Sequence, residues 1–384
     1  MRADVHIVLV SDQPTPNLTP ALDPELKPKE IVLVTSPDMR RQARWLTEAL
    51  RDTGIVMTPW PIDDAWNVEH IRDRMLDLLG EREGQAIALN VTGGTKPMAI
   101  AAYEVFCTEQ CPIFYVHPET DHLIWMHHPD RPPSRDLADR VKLPRFLLAH
   151  GARVKAQGSP LGVPEPLRLL NHELIHAIDG YQKPLATLNW AAQTAEGGLV
   201  SEPIKPLDVW RDPAFQALVD LFEQAGYLSV DGQRLVFADE DSRFFANGGW
   251  LEAHVWGLCL SLKKETGIQD IARGLEVERQ TRGGPVPNEL DIALLANNRL
   301  RVVECKTRKF EPAPGFSGKG ADTLYKLDAL TDLLGGLKAK GMLVSYRPLG
   351  AHDLQRAESH GIQVCDGAKL KELSAHLSRW IVGR

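Results

Sequence analysis

The residues best suited to chemistry lie between 288 and 306, in the sequence NELDIALLANNRLRVVECK. At the end of the predicted hairpin, this segment places the carboxylates of Asp291 and Glu304 and the ammonium group of Lys306. Burying these groups in an apolar segment is unfavourable unless a positive charge holds the carboxylates together. A divalent cation meets that need, because the hard oxygen ligands of Asp and Glu suit Mg²⁺ or Mn²⁺. The sequence therefore predicts a metal site with Lys306 beside the reacting oxygen atoms; a surface hairpin with an acidic face is the alternative.

A β-hairpin is expected to position these side chains. The first predicted strand is Glu289–Ala296, in which Asp291 alternates with apolar residues. An Asn-Asn turn leads to a second strand, Leu300–Lys306. Glu304 and Lys306 are two residues apart, and so they are expected on the same face of that strand.

Residues 1–150 alternate short apolar strands with helices, which predicts an open parallel sheet with helices on both faces. Ligands of such sheets bind beyond the carboxyl ends of the strands. A polar loop follows the first strand and supplies the candidates Ser11, Asp12, Gln13, Pro14 and Asn17. A second strand–helix turn supplies the candidates Thr92, Gly93, Gly94, Thr95 and Lys96. Its glycines allow close approach, and helix N-termini attract phosphate, so a phosphate-bearing ligand is expected; an ordinary tight turn is the alternative.

The pattern formed by Asp291, Glu304 and Lys306 resembles the PD-(D/E)xK nuclease core, with a leucine in place of the proline. That family also uses an acidic residue on the preceding helix, and Glu252 matches it. The resemblance implies a metal-dependent nuclease with Glu252, Asp291 and Glu304 as ligands of Mn²⁺ or Mg²⁺. It implies that Lys306 positions the attacking water or neutralises charge on the phosphate.

The strand–TGGTK–helix segment and the SDQPTPN loop are similar to CARF domains, the CRISPR-associated Rossmann-fold sensors. Those domains bind cyclic oligoadenylate messengers across a two-fold homodimer. Together, the two ends of the chain resemble the CRISPR-ancillary nucleases of type III antiviral defence, which cyclic tetra-adenylate activates allosterically. The resemblance implies that both polar loops contact the messenger. It also implies a nucleic-acid substrate, DNA in single-stranded or supercoiled form, with single-stranded RNA left open.

Three segments are predicted: a CARF sensor at 1–150, a helical and winged-helix-like linker at 151–240, and an α/β/α restriction-endonuclease-like domain at 241–384. The linker reads as a spacer, because its helix 213–225 carries no Lys or Arg to contact DNA. A basic loop, Gly315–Gly320, is expected near the nuclease site. Substrate contacts are expected from Lys319 and Lys326, with a solvated helix face as the alternative for Lys326.

The net charge of −7 argues against a protein that permanently coats nucleic acid. Residues 248–384 carry 20 Lys and Arg against 16 Asp and Glu, a net charge of +4, whereas the remainder carries −11. The predicted nuclease segment is therefore the basic part. No apolar stretch approaches the roughly 20 residues of a membrane span, and neither a signal-peptide layout nor a disulfide framework is evident. A cytoplasmic protein without membrane contact is expected.

Two other functions remain open. A ligand-responsive transcription regulator would carry an inactive nuclease fold, against which the complete set of Glu252, Asp291, Glu304 and Lys306 argues. A ring nuclease would destroy the messenger within the sensor, where Lys96 could assist and Asp12 is the evident general base.

Overall fold

The structure is a computed structural model that describes residues 3–205, 207–281, 283–307 and 319–383, of which residues 319–321 are described by their backbone alone. Two sheets organise this part of the chain. Within it, no helix combines the length and apolar character needed to cross a membrane.

The N-terminal sheet has seven strands. In chain order they are β1 (Val5–Leu9), β2 (Glu30–Thr35), β3 (Val56–Pro61), β4 (Ile87–Asn90), β5 (Ile113–His117), β6 (His122–His127) and β7 (Arg135–Asp136). Their order in the sheet is β3-β2-β1-β4-β5-β6-β7. The first five run parallel, and β6 and β7 add an antiparallel edge. The central strand β1 is buried along its whole length, as its continuous apolar sequence predicts.

Helices cover both faces of this sheet, which confirms the expected fold class. They are α1 (Thr15–Leu22), α2 (Arg40–Ala49), α3 (Val68–Glu81), α4 (Lys96–Thr108) and α5 (Leu143–Ala149). Buried side chains of α3 and α4 form one core with the sheet, and those of α1, α2 and α5 form another. The loop expected after β1 is shorter than predicted, because α1 already begins at Thr15.

The middle of the chain is mostly helical. Its elements are β8 (Ala152–Ala156), α6 (Glu165–His176), α7 (Ile178–Thr194), α8 (Pro213–Gln224), β9 (Leu228–Asp231), β10 (Arg234–Phe237) and α9 (Glu240–Phe244). The helix α8 and the β9–β10 hairpin have the expected winged-helix-like arrangement.

The C-terminal sheet has six strands in the order β15-β14-β13-β12-β11-β8. Its remaining elements are α10 (Trp250–Thr266), β11 (Ile268–Thr281), β12 (Gly284–Ala296), β13 (Arg299–Lys306), α11 (Lys319–Gly335), β14 (Lys340–Ser345), α12 (Ala351–Ser359), β15 (Gln363–Asp366) and α13 (Leu373–Val382). The strands β13, β14 and β15 are parallel, and β12 joins them antiparallel. Side chains of α10 and α13 bury one face, and those of α11 and α12 bury the other.

The interpretation of residues 151–240 as a spacer is wrong. The strand β8 pairs with β11 and so completes the C-terminal sheet. Buried residues of α7 and α8, such as Leu188 and Phe215, share a core with Val303 of β13. The apolar faces of α7 and α8 must be buried against another element, and here they pack against the C-terminal sheet.

The two sheets are also joined through one core. Val8 of β1 and Phe146 of α5 belong to the same buried cluster as Leu275, Ala293 and Leu343 of the C-terminal sheet. A movement of the N-terminal loops can therefore reach the C-terminal sheet through packed side chains.

Candidate nuclease site and ligand-binding loops

We name β12, its turn and β13 the acidic hairpin. The first feature of the candidate nuclease site is the fork of this hairpin, the point where its two strands cease to pair. The backbone pairing of these strands ends at Ile292 and Val303. Beyond that pair, Asp291 Oδ2 accepts a 2.7 Å hydrogen bond from the backbone N–H of Cys305. A carboxylate thus replaces a strand–strand backbone contact, and it is fixed beside Glu304.

The regular alternation expected along β12 breaks at this fork. Leu290 packs in the core that contains Ala293, whereas Ile292 packs in the opposite core. On β11, the residue opposite Asp291 is Gly274, which has a φ of +49°. That left-handed conformation interrupts the extended backbone of β11 opposite the point where Asp291 leaves the ladder.

Glu304 and Lys306 lie side by side on β13. Lys306 Nζ is 2.5 Å from Glu304 Oε1, and the Glu304 side chain is buried. Burial alone would lower the pKa of Lys306, but the Glu304 carboxylate raises it above its ordinary value. Lys306 is therefore a protonated, partly buried cation at neutral pH.

Glu252 reaches this site from the first turn of α10. The start of the helix is pressed against the end of β13: a Cβ at Gly248 would lie 2.1 Å from Thr307 Oγ1. Gly248 also has a φ of +115°, so both space and backbone conformation require glycine. This close approach brings Glu252 near the fork, because the helix begins two residues later.

Burial and neighbouring carboxylates raise the pKa values of Glu252 and Asp291. Burial raises the pKa of Glu252 to about 8, and the charges of Asp291 and Glu289 add to the effect. Burial also raises the pKa of Asp291 to about 7, with a further contribution from Glu304. Negative charge is thus crowded at the fork, and this is the electrostatic setting in which a divalent cation binds favourably.

The donor chemistry fits Mg²⁺ or Mn²⁺, since three hard carboxylate oxygen donors surround the fork. Within the described residues, however, no three Asp, Glu, His or Cys side chains converge in a metal-binding arrangement. Glu304 is instead held by Lys306. Metal binding by these residues would require Glu304 to exchange that contact for the cation.

Two residues that the sequence analysis did not single out also contribute. Asn189 of α7 donates a 3.1 Å hydrogen bond to the Thr307 carbonyl, directly after Lys306, and so supports the end of β13. Glu289 adds charge to the site from two positions before Asp291 on β12. The two-residue spacing was a usable signal for Glu289, whereas local sequence holds none for Asn189.

The expected substrate-contact loop Gly315–Gly320 lies largely outside the described residues, as does the side chain of Lys319. Lys326 is exposed on α11. Its position agrees with the solvated-face alternative.

The two polar loops of the N-terminal domain meet at the carboxyl edge of the sheet, because β1 and β4 are neighbours. A Cβ at Gly93 would lie 2.1 Å from the Leu9 carbonyl oxygen. The glycine thus allows the TGGTK turn to rest on the end of β1. Gly94 follows with a φ of +73°.

Several side chains that were predicted to bind a ligand form hydrogen bonds within the two loops instead. Asn90 Nδ2 donates to Asn17 Oδ1 at 3.0 Å, and Thr92 Oγ1 donates to Asn90 Oδ1 at 2.7 Å. Asn17 is only 3% exposed. Thr95 caps α4 by accepting the N–H of Met98, and its hydroxyl donates to the Ala65 carbonyl. The three predicted residues Asn17, Thr92 and Thr95 thus hold the shape of the loops.

Fewer side chains than predicted remain accessible to a ligand at the carboxyl edge of the sheet. Asp12 and Lys96 are exposed, and Ser11 and Gln13 are partly buried beside them. Gln42 of α2, which the sequence analysis did not identify, donates a 2.5 Å hydrogen bond to Asp12 Oδ1. Exposed polar side chains, the Gly93 turn and the N-terminus of α4 therefore form the candidate ligand surface.

The fold and the two sites define a class of protein in which a Rossmann-like sensor domain is joined to an endonuclease domain. Residues 5–143 match the family described as the Card1 CARF domain, and residues 239–383 match the Card1-like endonuclease domain. The chain belongs to this Card1-like family of CARF nucleases. The predicted combination of a CARF domain with an endonuclease domain is thereby confirmed.

Solved structures agree with this assignment. Protein VC1899 from Vibrio cholerae is 31% identical, with a TM-score of 0.89 over 98% of this chain and 97% of that one. Can2 from Sulfobacillus thermosulfidooxidans, solved in complex with cyclic tetra-adenylate, is 26% identical, with a TM-score of 0.83 over 98% of this chain and 99% of that one. A type III CRISPR defence DNA nuclease activated by cyclic oligoadenylate is 19% identical, covers 91% of this chain and 46% of that one, and shares the fold with a TM-score of 0.57. A comparison with curated proteins finds no match.

Proposed function

We propose that this protein is a homodimeric, metal-dependent endonuclease of type III CRISPR antiviral defence that cyclic tetra-adenylate activates in the cytoplasm. The proposed substrate is DNA, single-stranded or supercoiled, and single-stranded RNA is the alternative. The observation that carries the proposal is the fork of the acidic hairpin. There, Asp291, Glu304 and Lys306 lie together within a domain of an endonuclease family, and Glu252 interacts with them electrostatically.

The proposed activator follows from the N-terminal loops and from one relative. Can2, which matches over nearly the whole chain, was solved with cyclic tetra-adenylate. In this chain, Asp12 and Lys96 are exposed at the carboxyl edge of the N-terminal sheet, next to the N-terminus of α4. Backbone N–H groups and a lysine suit a phosphodiester ligand. A two-fold symmetric ring would bind two copies of this edge, which supports the proposed homodimer.

In the proposed reaction, Lys306 acts on the scissile phosphate. Its pKa is raised, so it stays protonated and can neutralise charge that builds up on the phosphate oxygens. Glu252, Asp291 and Glu304 would hold the cation. A bound Mn²⁺ or Mg²⁺ supplies Lewis-acid stabilisation and lowers the pKa of a water.

The experiment that tests this proposal is cleavage of labelled single-stranded DNA, single-stranded RNA and supercoiled plasmid. Each substrate is incubated with wild-type protein or with Glu304→Ala, in Mn²⁺ or EDTA, with and without cyclic tetra-adenylate. We expect cleavage that needs the messenger, the metal and Glu304 together, with a loss of about 100-fold or more in the variant. Equal cleavage by Glu304→Ala would overturn the assignment.

The same assay separates the two other functions. Tight messenger binding without cleavage of any substrate would favour the transcription regulator. Loss of the messenger over time in Glu304→Ala would favour a ring nuclease in the sensor domain.

A further inference from the structure

The turn of the acidic hairpin is bonded to the sensor domain. Asn298 Nδ2 donates a 2.6 Å hydrogen bond to Asp121 Oδ2, in the turn between β5 and β6. Both side chains are buried, with exposures of 1% for Asn298 and 6% for Asp121. A buried hydrogen bond to a carboxylate is among the stronger polar contacts in a protein. The contact therefore joins the two domains at a defined point.

The same carboxylate is tied to the ligand-binding edge. Asp121 Oδ1 accepts a 3.0 Å hydrogen bond from Thr19 Oγ1. Thr19 lies on α1, the helix that continues directly from the polar loop after β1. The first turn of α1 is in turn bonded to β4, because Asn90 Nδ2 donates to the Pro16 carbonyl at 2.8 Å. A shift of the ligand-binding loops would therefore displace the groups that are hydrogen-bonded to Asp121.

The orientation of the Asn298 amide is fixed by Gln269. Gln269 Nε2 donates to the Val141 carbonyl at 2.7 Å and to Asn298 Oδ1 at 2.8 Å. Gln269 Oε1 accepts the Asn298 backbone N–H at 2.8 Å. Asn298 Oδ1 is therefore the acceptor and Nδ2 the donor. If the Asn298 amide were rotated by half a turn, its Nδ2 would face Gln269 Nε2, and two hydrogen-bond donors would oppose each other.

We propose that Asp121 and Asn298 are positioning residues that transmit messenger binding from the sensor loops to the nuclease site. This inference rests on the proposed function. The acidic hairpin is continuously paired from Ala296–Arg299 at the turn to Ile292–Val303 at the fork. A displacement of the turn therefore moves Asp291 and Glu304 as well.

The space around this contact permits such a displacement. A cavity of about 80 Å³ lies between the sensor loop and the hairpin turn. Gln13, Thr15 and Pro16 line its sensor side, and Asn297 and Arg299 line its hairpin side. This open volume gives the side chains of the loop room to move, and the hydrogen bond between Asp121 and Asn298 would carry a movement across the boundary. A ligand changes the equilibrium by its difference in affinity between the two arrangements.

The test is an exchange of the two side chains of the pair. Asn298→Asp alone opposes two carboxyl groups and removes the donor of the central hydrogen bond. Asp121→Asn alone keeps an oxygen that accepts from Asn298, because the hydroxyl of Thr19 can accept from the new amide and donate to the Thr15 carbonyl. In the double variant, the amide introduced at position 121 still accepts from Thr19 and donates to the carboxylate introduced at position 298. That carboxylate still accepts from Gln269. The exchange thus preserves the contacts to Thr19 and Gln269 and reverses the donor of the central hydrogen bond.

A matched control is Glu48→Gln. It removes the ion pair that Glu48 of α2 forms with the half-exposed Arg153 of β8, which also joins the two sheets. An ion pair of this kind contributes little to stability, so its loss should leave the transmission unchanged.

Two readouts are measured for each variant: messenger-stimulated cleavage, and amide hydrogen exchange in β12 and β13 with and without cyclic tetra-adenylate. Direct binding of the messenger is expected to stay within about threefold throughout. We expect stimulation to fall tenfold or more in Asn298→Asp and to recover in the double variant, while Asp121→Asn and Glu48→Gln behave as wild type. The change that the messenger causes in amide hydrogen exchange of β12 and β13 should be lost and recovered in the same variants.

Full stimulation in Asn298→Asp, or a double variant no better than Asn298→Asp, would overturn the proposal. If wild-type protein binds the messenger but never cleaves, the proposed function fails. The exchange readout then still decides the inference: an unchanged hairpin in wild type contradicts it, and a messenger-dependent change that Asn298→Asp loses and the double variant recovers supports it.

Discussion

Asp291 Oδ2 accepts the backbone N–H of Cys305 at 2.7 Å, at the point where the β12–β13 ladder ends. This contact does two things. It closes the end of the hairpin with a side chain, and it holds a carboxylate next to Glu304. The candidate nuclease site thereby lies at the end of a sheet ladder, and its geometry depends on the pairing of the hairpin strands.

The first prediction concerns that contact. Asp291→Asn keeps a carbonyl oxygen able to accept from Cys305, so the fold should lose less than about 1 kcal/mol. Cleavage should fall by about 100-fold or more, because an amide is a poor ligand for a hard cation. Chemical denaturation and the cleavage assay measure the two effects. Activity near that of wild type would remove Asp291 from the ligand set.

The second prediction concerns pH. The pKa of Glu252 is about 8 in the folded chain and about 4.3 in an unfolded one, so folding favours the protonated form. Its stabilising contribution is complete below about pH 4 and is lost as the pH rises through 8. In EDTA, Glu252→Gln should be more stable than wild type at pH 8.5 by about 1–3 kcal/mol, with the difference shrinking toward pH 4. Urea denaturation across this range measures the difference, and a constant difference would contradict the pKa shift.

The third prediction concerns the cation without reference to activity. Mn²⁺ should raise the melting temperature at pH 8, because it binds the crowded carboxylates of the folded state and not the unfolded chain. At a hundredfold excess over its dissociation constant the gain is about 2.7 kcal/mol. Asp291→Asn and Glu304→Gln should reduce the shift, whereas Glu48→Gln should retain it. A shift of equal size in all four proteins would place the cation elsewhere.

The fourth prediction concerns the ligand edge. Gly93→Ala would put a Cβ 2.1 Å from the Leu9 carbonyl oxygen, so the turn must move away from β1. Binding of cyclic tetra-adenylate should weaken at least tenfold, with a loss of stability of about 1–3 kcal/mol. Gly80→Ala is the matched control, since nothing lies within 4 Å of a Cβ there. Unimpaired binding by Gly93→Ala would show that this turn does not shape the ligand surface.

Local sequence patterns predicted much of the fold. The short apolar strands, the Asn-Asn turn and the helix after Gly249 all depend on contacts within about 20 residues. The pattern of Asp291, Glu304 and Lys306 was visible because a hairpin brings its two strands together. For the same reason, the sequence indicated that the glycines of the TGGTK turn permit a close approach.

The remaining features depend on contacts between distant parts of the chain. The strand β8 pairs with β11, more than 100 residues away, and Asn189 supports Thr307 from a similar separation. The hydrogen bond between Asp121 and Asn298 joins two turns 177 residues apart. Periodicity carries no information on such pairings. Nor could it show that Asn17 is turned inward, because a polar residue after a strand is compatible with either orientation.

In the proposed switch, the sensor loops bind the messenger and a separate site in the C-terminal domain cleaves the substrate. The decisive measurement uses Lys306→Ala, with messenger binding, melting temperature and messenger-stimulated cleavage measured on the same preparation in Mn²⁺. We expect wild-type messenger binding, a folded protein and a loss of cleavage of about 100-fold or more. Messenger-stimulated cleavage at the wild-type rate in this variant would contradict the proposed switch.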